Sequence, residues 1–243
     1  MNKTVLFIGI LFMALLNINA QEKVTISGQI TDFEGNPVDS AMVEIFNKDY
    51  STSLSTHTNK AGRYSISVPK GKYIAMGGMR MDEYPIMGSV LPEEDQRLEF
   101  WAYNILANED IEVNARYHRL EVYGINVFRV QGGYPAYAIY FRPMSLTRYF
   151  SFPAKDRPIA NLAPPKEHLD VEVYFDNEAM TVRSIQEIEE YVDMGKCTGY
   201  LLFVDLPKHE SVKSYREVKI VATDKENGDK GESFYFMEKE GYE

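Results

Sequence analysis

The sequence predicts a mostly β protein with two β-sandwich domains, the second of which carries one short helix. In many short stretches, apolar and polar residues alternate with the period of a half-buried strand. Residues that favour turns separate these stretches roughly every 8–12 residues, a spacing typical of sandwiches. Aromatic residues make up 13% of the chain and can fill cores, whereas the single cysteine allows no internal disulfide.

Residues 1–20 are predicted to form a secretory signal. Lys3 precedes an apolar run over 5–16, and Ala20 precedes the predicted cleavage site at Gln21. The alternative, a membrane anchor, would need a longer apolar core to cross a bilayer. No cysteine stands directly after the run, because the only cysteine, Cys197, lies far downstream, and this argues against a lipoprotein. We therefore expect a periplasmic or secreted protein, or one associated with the outer membrane, with no transmembrane span after cleavage.

The first domain is predicted over residues 22–92. Val24, Ile26 and Ile30 alternate with polar residues, and the turn-forming residues of 32–37 follow them. The same succession of strand and turn then recurs until the polar stretch at the end of the domain. The predicted strands are 24–30, 38–45, 53–58 and 64–68, with another beginning at Tyr73.

Several motifs in this stretch carry a family resemblance. They are Ile26-Ser27-Gly28, Gly35-Asn36-Pro37-Val38, Thr58-Asn59-Lys60-Ala61-Gly62-Arg63-Tyr64 and Val68-Pro69-Lys70-Gly71-Lys72-Tyr73. With them, the first domain resembles the carboxypeptidase regulatory-like domain, and the resemblance implies a transthyretin-like Greek-key sandwich. In that family the domain has no active site. It accompanies secreted proteases, bacterial surface proteins and outer-membrane receptors of the SusC type, so the resemblance implies an accessory role.

The second domain is predicted over residues 93–243 as another β-sandwich. Its opening strand, Arg97–Tyr103, holds the only tryptophan of the chain, Trp101. Asn227-Gly228 between two apolar stretches is a strong hairpin signal. The predicted strands are 97–103, 117–123, 125–130, 136–142, 169–175, 179–183, 200–205, 215–223 and 232–237.

One stretch of the second domain predicts a helix, over 184–195. Ser184 and Glu187 have the spacing of a capping box, in which each side chain satisfies a free backbone N–H at the helix start. Apolar residues fall on one helical face, and Gly195 is a suitable end. We therefore expect one short helix there.

Charge excludes one class of partner. The formal net charge is −10, and most of the excess acid lies after Lys166. Such a surface repels phosphates. We therefore expect no nucleic-acid partner.

No catalytic, metal or cofactor site stands out in the sequence. The four histidines lack metal-ligand spacing, and no nucleophile-elbow, zinc-protease or phosphate-loop motif is present. The methionine-rich stretch 76–87 has copper binding as an alternative, but it contains no histidine or cysteine, and core packing explains it better. The acidic loop 224–229 suggests calcium, yet a hairpin explains it better. We expect no catalytic residue, no metal and no cofactor.

The best candidate for a binding surface is the aromatic and arginine-rich stretch 134–152. Arginine offers planar contacts to carboxylate or sulfate, and tyrosine offers an apolar face with a polar edge. Such a surface suits an acidic glycan or an envelope protein. The alternative is that strand alternation buries Tyr137, Ile139 and Phe141 and leaves ordinary exposed neighbours. The candidate ligand-binding residues are Tyr134, Tyr140, Arg142, Arg148 and Tyr149, with Tyr140 and Arg142 expected on one strand face.

Two functions follow from these observations. We favour an exported, non-enzymatic binding or adaptor protein linked to glycan uptake or the cell envelope, partly because of the proteins in which the first domain occurs. The alternative is a hydrolase with an unrecognised active site in the second domain. A pocket with two converging carboxyl groups of raised pKa would favour the hydrolase, whereas a flat aromatic strip would favour binding.

Overall fold

The computed structural model describes residues 21–130, 132–157, 160–192 and 195–239, and the predicted signal at 1–20 lies outside them. The chain is mostly β, which confirms the predicted fold class. The strands are β1 (Lys23–Thr31), β2 (Met42–Phe46), β3 (Thr52–His57), β4 (Arg63–Pro69), β5 (Gly71–Met79), β6 (Phe100–Ala107), β7 (Ile111–Glu112), β8 (Ala115–Arg116), β9 (Leu120–Phe128), β10 (Ala136–Ser145), β11 (Leu169–Phe175), β12 (Glu178–Ala179), β13 (Val182–Val192), β14 (Gly195–Asp205), β15 (Tyr215–Asp224) and β16 (Lys230–Glu238). Short helical segments are the 3-10 turns η1 (Pro85–Met87) and η2 (Glu93–Asp95) and the α-helix α1 (Leu146–Ser151).

Two sheets form the first sandwich. β3, β2, β5 and β6 lie side by side, and β4, β1 and β7 form the facing sheet, with β8 also pairing with β1. After β3 the chain crosses to the facing sheet as β4 and returns as β5, which gives the predicted Greek-key path. Alternate residues of both sheets fill the core between them, among them Ile26, Ile30, Val43, Ile45 and Phe100.

Strand pairing crosses the boundary predicted after Pro92. β6, β7 and β8 all follow Pro92, yet β6 pairs with β5 and the other two pair with β1. β6 also pairs in parallel with β16, so one eight-stranded sheet runs through both sandwiches. The strands of the first sandwich therefore extend to Arg116. Whether residues 22–92 and 93–243 fold independently stays a prediction.

The second sandwich places a four-stranded sheet against the other half of the long sheet. Its strand order is β13-β14-β10-β9, and the facing strands are β12, β11, β15 and β16. Apolar side chains of β10 and β14 pack on those of β11 and β15 in the interior. The buried residues there include Ile139, Phe141, Phe175, Tyr200, Leu202 and Ile220.

The helix predicted at 184–195 is wrong over 184–192, because this stretch is β13. β13 pairs with β14 in antiparallel register. In a strand, Ile185 and Ile188 point to opposite faces, and Ile185 packs on the second core. Cross-strand hydrogen bonds and β-branched side chains outweigh the local capping signal.

The short helix α1 lies after β10 instead. Ser145 caps its N-terminus, because its side chain accepts a hydrogen bond from the backbone N–H of Arg148 at 3.2 Å. Asp229, from the hairpin between β15 and β16, accepts another from the backbone N–H of Thr147 at 2.9 Å. Within the described part of the chain, no helix is long and apolar enough to cross a membrane.

A bulge in β9 brings two side chains together. Gly124 has a φ of 66°, a left-handed value that glycine adopts without strain. The register of β9 and β10 shifts here, so that Tyr140 opposes Asn126 while Arg142 opposes Tyr123. As a result, the guanidinium of Arg142 lies over the ring of Tyr123.

Candidate binding cleft

The five predicted ligand-binding residues do not lie together. Tyr140 and Arg142 are on β10, Arg148 and Tyr149 are in α1, and Tyr134 precedes β10. β10 has 10 residues, so it separates Tyr134 from α1 by about 30 Å at the usual rise per residue. Tyr134 is 65% exposed and accessible to a partner. It cannot share a small ligand with Tyr149, however, and the set of five stays a prediction.

Strand alternation on β10 puts Tyr140 and Arg142 on one face. Tyr137, Ile139 and Phe141 are buried, while Tyr140 and Arg142 are half-buried on the opposite face. Burial raises the pKa of Tyr140, and the neighbouring carboxylate of Glu190 raises it further. The tyrosine therefore stays neutral and offers a hydrogen-bond donor beside Arg142.

Two contacts orient the guanidinium of Arg142. Its carbon lies 4.6 Å from the ring centroid of Tyr123, and Nη1 lies 3.2 Å from Oε2 of Glu190 on β13. Nε is buried and has no hydrogen-bond partner among the described residues. The side chain keeps 26% exposure and lines a cavity, so Arg142 presents an oriented, partly buried cation there.

Arg148 is engaged by carboxylates of the β15–β16 hairpin. Its Nε lies 2.7 Å from Oδ2 of Asp224, whose side chain is fully buried, and Nη2 lies 2.5 Å from Oε2 of Glu226. Removing the partner of a buried charge is costly. Arg148 therefore has a structural role in holding α1 against the hairpin.

The same carboxylates belong to a cluster with His168. The ligand atoms of His168, Asp224 and Glu226 lie within 4.8 Å of one another, which is compatible with a metal ion. The guanidinium of Arg148 already supplies positive charge to both carboxylates. A metal ion would have to displace it, so we interpret the cluster as an ion-pair network.

A cleft opens where the segment between β5 and β6 meets β9, β10 and the segment after α1. Two adjoining cavities of about 370 and 380 Å³ form it, and we call it the Glu121 cleft. These volumes fall in the range of roughly 300–1,000 Å³ that small-ligand sites occupy. The residues that line both cavities are Ile86, Glu121, Met144, Arg157 and Leu162.

The Glu121 cleft has an apolar half and a polar half. Pro85, Leu98, Leu146 and Tyr149 are among the residues that line the apolar half. Two of the five predicted residues, Tyr149 and Arg142, thus line the same cleft from opposite halves. The lining residues of the polar half include Tyr84, Glu99, Glu121, Tyr123, Arg142, Asn161 and Thr198.

Glu99 and Glu121 form a buried carboxyl pair in this cleft. Nε1 of Trp101 donates to Oε1 of Glu99 at 3.0 Å and to Oε1 of Glu121 at 2.8 Å. Glu99 is 7% exposed and Glu121 is 3% exposed. Oε2 of Glu99 is buried and has no well-aligned hydrogen-bond partner in the residues that the structure describes. A proton held between the carboxyls would satisfy this oxygen.

Burial raises the pKa of both members of the pair. The pKa of Glu121 lies well above its usual range because of burial first and then the charge of Glu99, and Arg142 opposes the shift. Burial also raises the pKa of Glu99, and the neighbouring hydroxyl of Tyr84 and the N–H of Trp101 oppose this shift. The two carboxyls therefore resist full ionisation together, and in its singly protonated form the pair presents one carboxylic acid and one carboxylate to the cleft.

Sequence reasoning missed this pair. Glu99 precedes β6 and Glu121 lies on β9, and a search for carboxylates that are adjacent in sequence does not join them. The available signal was a single carboxylate within a mainly apolar strand, because Leu120, Glu121 and Val122 are all buried. A buried carboxylate of this kind needs a partner, and its partner is Glu99, which lies just before β6.

Residues 25–75 match the family model of the carboxypeptidase regulatory-like domain, which confirms the resemblance of the first domain. The match ends before Tyr84, so the residues that line the Glu121 cleft lie outside it. A search of curated proteins finds no match to the chain.

Comparison with solved structures finds weak similarities. The major pilin subunit BcpA of Bacillus cereus aligns with a TM-score of 0.28 and 12% identity, over 89% of this chain and 69% of that one. A DUF3823 family protein from Parabacteroides merdae aligns with a TM-score of 0.27 and 11% identity, over 89% and 98% of the two chains. The major pilin SpaD of Corynebacterium diphtheriae has a TM-score of 0.28 and 10% identity, over 90% and 65%. TM-scores this low carry no argument about function.

Proposed function

We propose that the chain is an exported binding protein that holds a glycan in the Glu121 cleft. The observation that carries the proposal is the guanidinium of Arg142 stacked on Tyr123 in the wall of the cavity. A sugar ring has apolar faces and a rim of hydroxyl groups, so its recognition needs aromatic surface and planar hydrogen-bond donors together. The polar half of the cleft supplies both.

The charges in the cleft favour a neutral glycan over the acidic glycan that the arginine-rich sequence suggested. Glu190 already neutralises Arg142, and Arg157 lies 3.8 Å from Oε1 of Glu93. The ionised member of the carboxyl pair adds negative charge to the same space. An acidic glycan would meet this like charge, whereas a neutral one would not.

Calorimetry with a panel of oligosaccharides tests the proposal on the purified protein. Arg142→Ala should weaken binding of the best ligand about tenfold or more, because it removes a charge-assisted donor. Arg183→Ala is the matched control, since Arg183 is ion-paired with Asp205 at 2.6 Å but does not line the cleft. Unchanged affinity in a folded Arg142 variant would contradict the proposal.

Export is proposed from residues 1–20, which lie outside the described residues. The signal pattern predicts cleavage between Ala20 and Gln21. Mature protein recovered from the cell envelope should therefore begin at Gln21 in N-terminal sequencing. An intact Met1 would contradict export by this route.

A hydrolase is the second candidate, and the carboxyl pair favours it. Both carboxyls accept from one Trp101 nitrogen, so they lie at or below the short end of the spacing that glycoside hydrolases use. Glycoside hydrolases separate their two carboxyls by roughly 5–9.5 Å. A pair that shares one proton instead has the arrangement with which aspartic proteases work.

An assay of intact peptides and oligosaccharides separates the two candidates. The binding proposal expects every substrate to be recovered unchanged after prolonged incubation. Products that form with the wild type and are absent with a folded Glu121→Gln variant would make the hydrolase the better assignment.

A further inference from the structure

The carboxyl pair presents its donor and its acceptor on two separate groups. A carboxylic acid beside a carboxylate places a hydrogen-bond donor next to an acceptor in one fixed site. Nε1 of Trp101 holds both groups, at 3.0 and 2.8 Å, so their positions are set before a ligand arrives. The pair is therefore suited to a ligand group that has an acceptor and a donor close together.

We propose that the glycan carries N-acetyl groups and that the Glu99–Glu121 pair, with the apolar wall beside it, recognises one of them. This inference rests on the proposed glycan-binding function of the same cleft. An acetamido group has an N–H that donates, a carbonyl oxygen that accepts and a methyl group that is apolar. The carboxylate, the carboxylic acid and the apolar half of the cleft match these three parts in turn.

The placement of Glu121 supports the match. Glu121 lines both cavities, and Ile86, Met144 and Leu162 line the same two cavities. When the carbonyl and the N–H of the acetamido group bind to the pair, its methyl group would be buried against these apolar side chains. A hydroxyl in place of the acetamido group would lose that apolar contact and would have to donate and accept through a single atom.

An unsatisfied atom is the independent sign that a ligand group belongs here. Oε2 of Glu99 is buried without a well-aligned partner in the described residues, although Glu99 lines the cavity. Buried carboxylate oxygens are nearly always hydrogen-bonded in folded proteins. The N–H of an acetamido group would give this oxygen its donor, and the proton of the pair would then serve the ligand carbonyl.

The surroundings of the pair decide whether that proton is kept. Tyr84 faces Glu99 from the segment before η1, and Arg142 faces Glu121 from β10. Arg142 is the group whose charge favours loss of the proton, and Glu190 offsets that charge. Arg157 lines both cavities and lies near Glu93.

Two sugars that differ only in the inferred group provide the test. Chitotetraose carries an acetamido group on each ring where cellotetraose carries a hydroxyl. Calorimetry with the full mature chain should show about tenfold tighter binding of chitotetraose near pH 6, from a buried methyl and from hydrogen bonds made by two separate atoms. The preference should shrink as the pH rises and the pair loses its shared proton.

A variant that keeps the hydrogen-bonding pattern serves as the control. Glu121→Gln replaces the carboxylic acid by an amide that still donates and accepts, so it should keep the preference and remove its pH dependence. Equal affinity of the wild type for the two sugars would overturn the inference while glycan binding stands. Binding of neither sugar, with other neutral glycans bound, would also overturn it. Binding of no glycan at all would overturn the proposed function itself.

Discussion

Glu99 and Glu121 accept hydrogen bonds from one indole N–H, at 3.0 and 2.8 Å. That indole belongs to Trp101 on β6, a strand of the first sandwich, whereas Glu121 lies on β9 of the second. The pair therefore joins the sandwiches near the point where the long sheet passes from one to the other. A ligand at the pair would contact both sandwiches at once.

The raised pKa values predict that stability falls as the pH rises above about 4.5. A carboxyl whose pKa is raised by folding contributes its full stability below its unfolded pKa, and loses it as the pH rises through the folded pKa. Burial raises the pKa of Glu121 well above its ordinary value of 4.5 and also raises that of Glu99. Glu232 and Glu217 act in the same direction, because burial raises their pKa as well. Thermal unfolding between about pH 5 and pH 8 measures the trend.

Glu121→Gln isolates the contribution of the pair to this trend. The amide cannot ionise, so the variant should gain stability relative to wild type as the pH rises from about 5 to 8. Glu189→Gln is the control, because Glu189 is an exposed carboxylate on β13. If wild type and variant differed in stability by the same amount at pH 5 and at pH 8, Glu121 would be ionised throughout this range.

Trp101 should report the titration of the pair directly. It is the only tryptophan of the chain, and its N–H contacts both carboxyls. The intrinsic tryptophan emission should therefore change with a midpoint above the ordinary carboxyl pKa, and Glu121→Gln should abolish the change. Emission that titrates identically in the variant would mean that other groups cause it.

The strands were predictable because their signals are local. Alternation along β10 placed Tyr140 and Arg142 on the face opposite Ile139 and Phe141, and turn residues marked the hairpin between β15 and β16. The β13 region was not predictable in this way. Its capping box is a correct local signal, but pairing with β14 is a tertiary interaction that residue spacing cannot reveal.

The candidate site was predictable only in part. Arg142 was identified from composition, but its role depends on the bulge at Gly124, which turns Tyr123 beneath it. Arg148 had the same composition signal, and only the buried carboxylate of Asp224 reveals its structural role. The carboxyl pair could not be predicted, because it depends on the packing of β6 against β9, a tertiary contact that the pattern of each strand does not contain.

Arg148→Ala should destabilise the fold without affecting glycan binding. The substitution leaves Asp224 buried without its cation, which costs about 3–5 kcal/mol for buried pairs. Glu226→Ala removes the exposed partner of the same arginine and should cost far less stability, because solvent screens exposed ion pairs. Thermal unfolding measures both variants. If the Arg148 variant unfolded at the wild-type temperature but bound glycan more weakly, Arg148 would be a binding residue.

Truncated chains can distinguish two possible ends of the first domain, one after Pro92 as predicted and one after β8 as the strand pairing implies. A piece covering 21–118 keeps β6, β7 and β8, which complete both sheets of the first sandwich. A piece covering 21–92 loses these strands together with the buried side chains of Phe100, Ile105 and Ile111. Each lost core side chain removes about 1.5–3 kcal/mol of hydrophobic stabilisation, and a small domain has only about 5–15 kcal/mol in total.

We therefore expect circular dichroism to show a folded β protein for 21–118 and an unfolded chain for 21–92. The longer piece should be less stable than the full chain, because β6 loses its pairing with β16. Trp101, which only the longer piece contains, should show the emission of a partly buried indole. A cooperative thermal transition of 21–92 would show instead that the first five strands suffice, and that β6 to β8 belong energetically to the second sandwich.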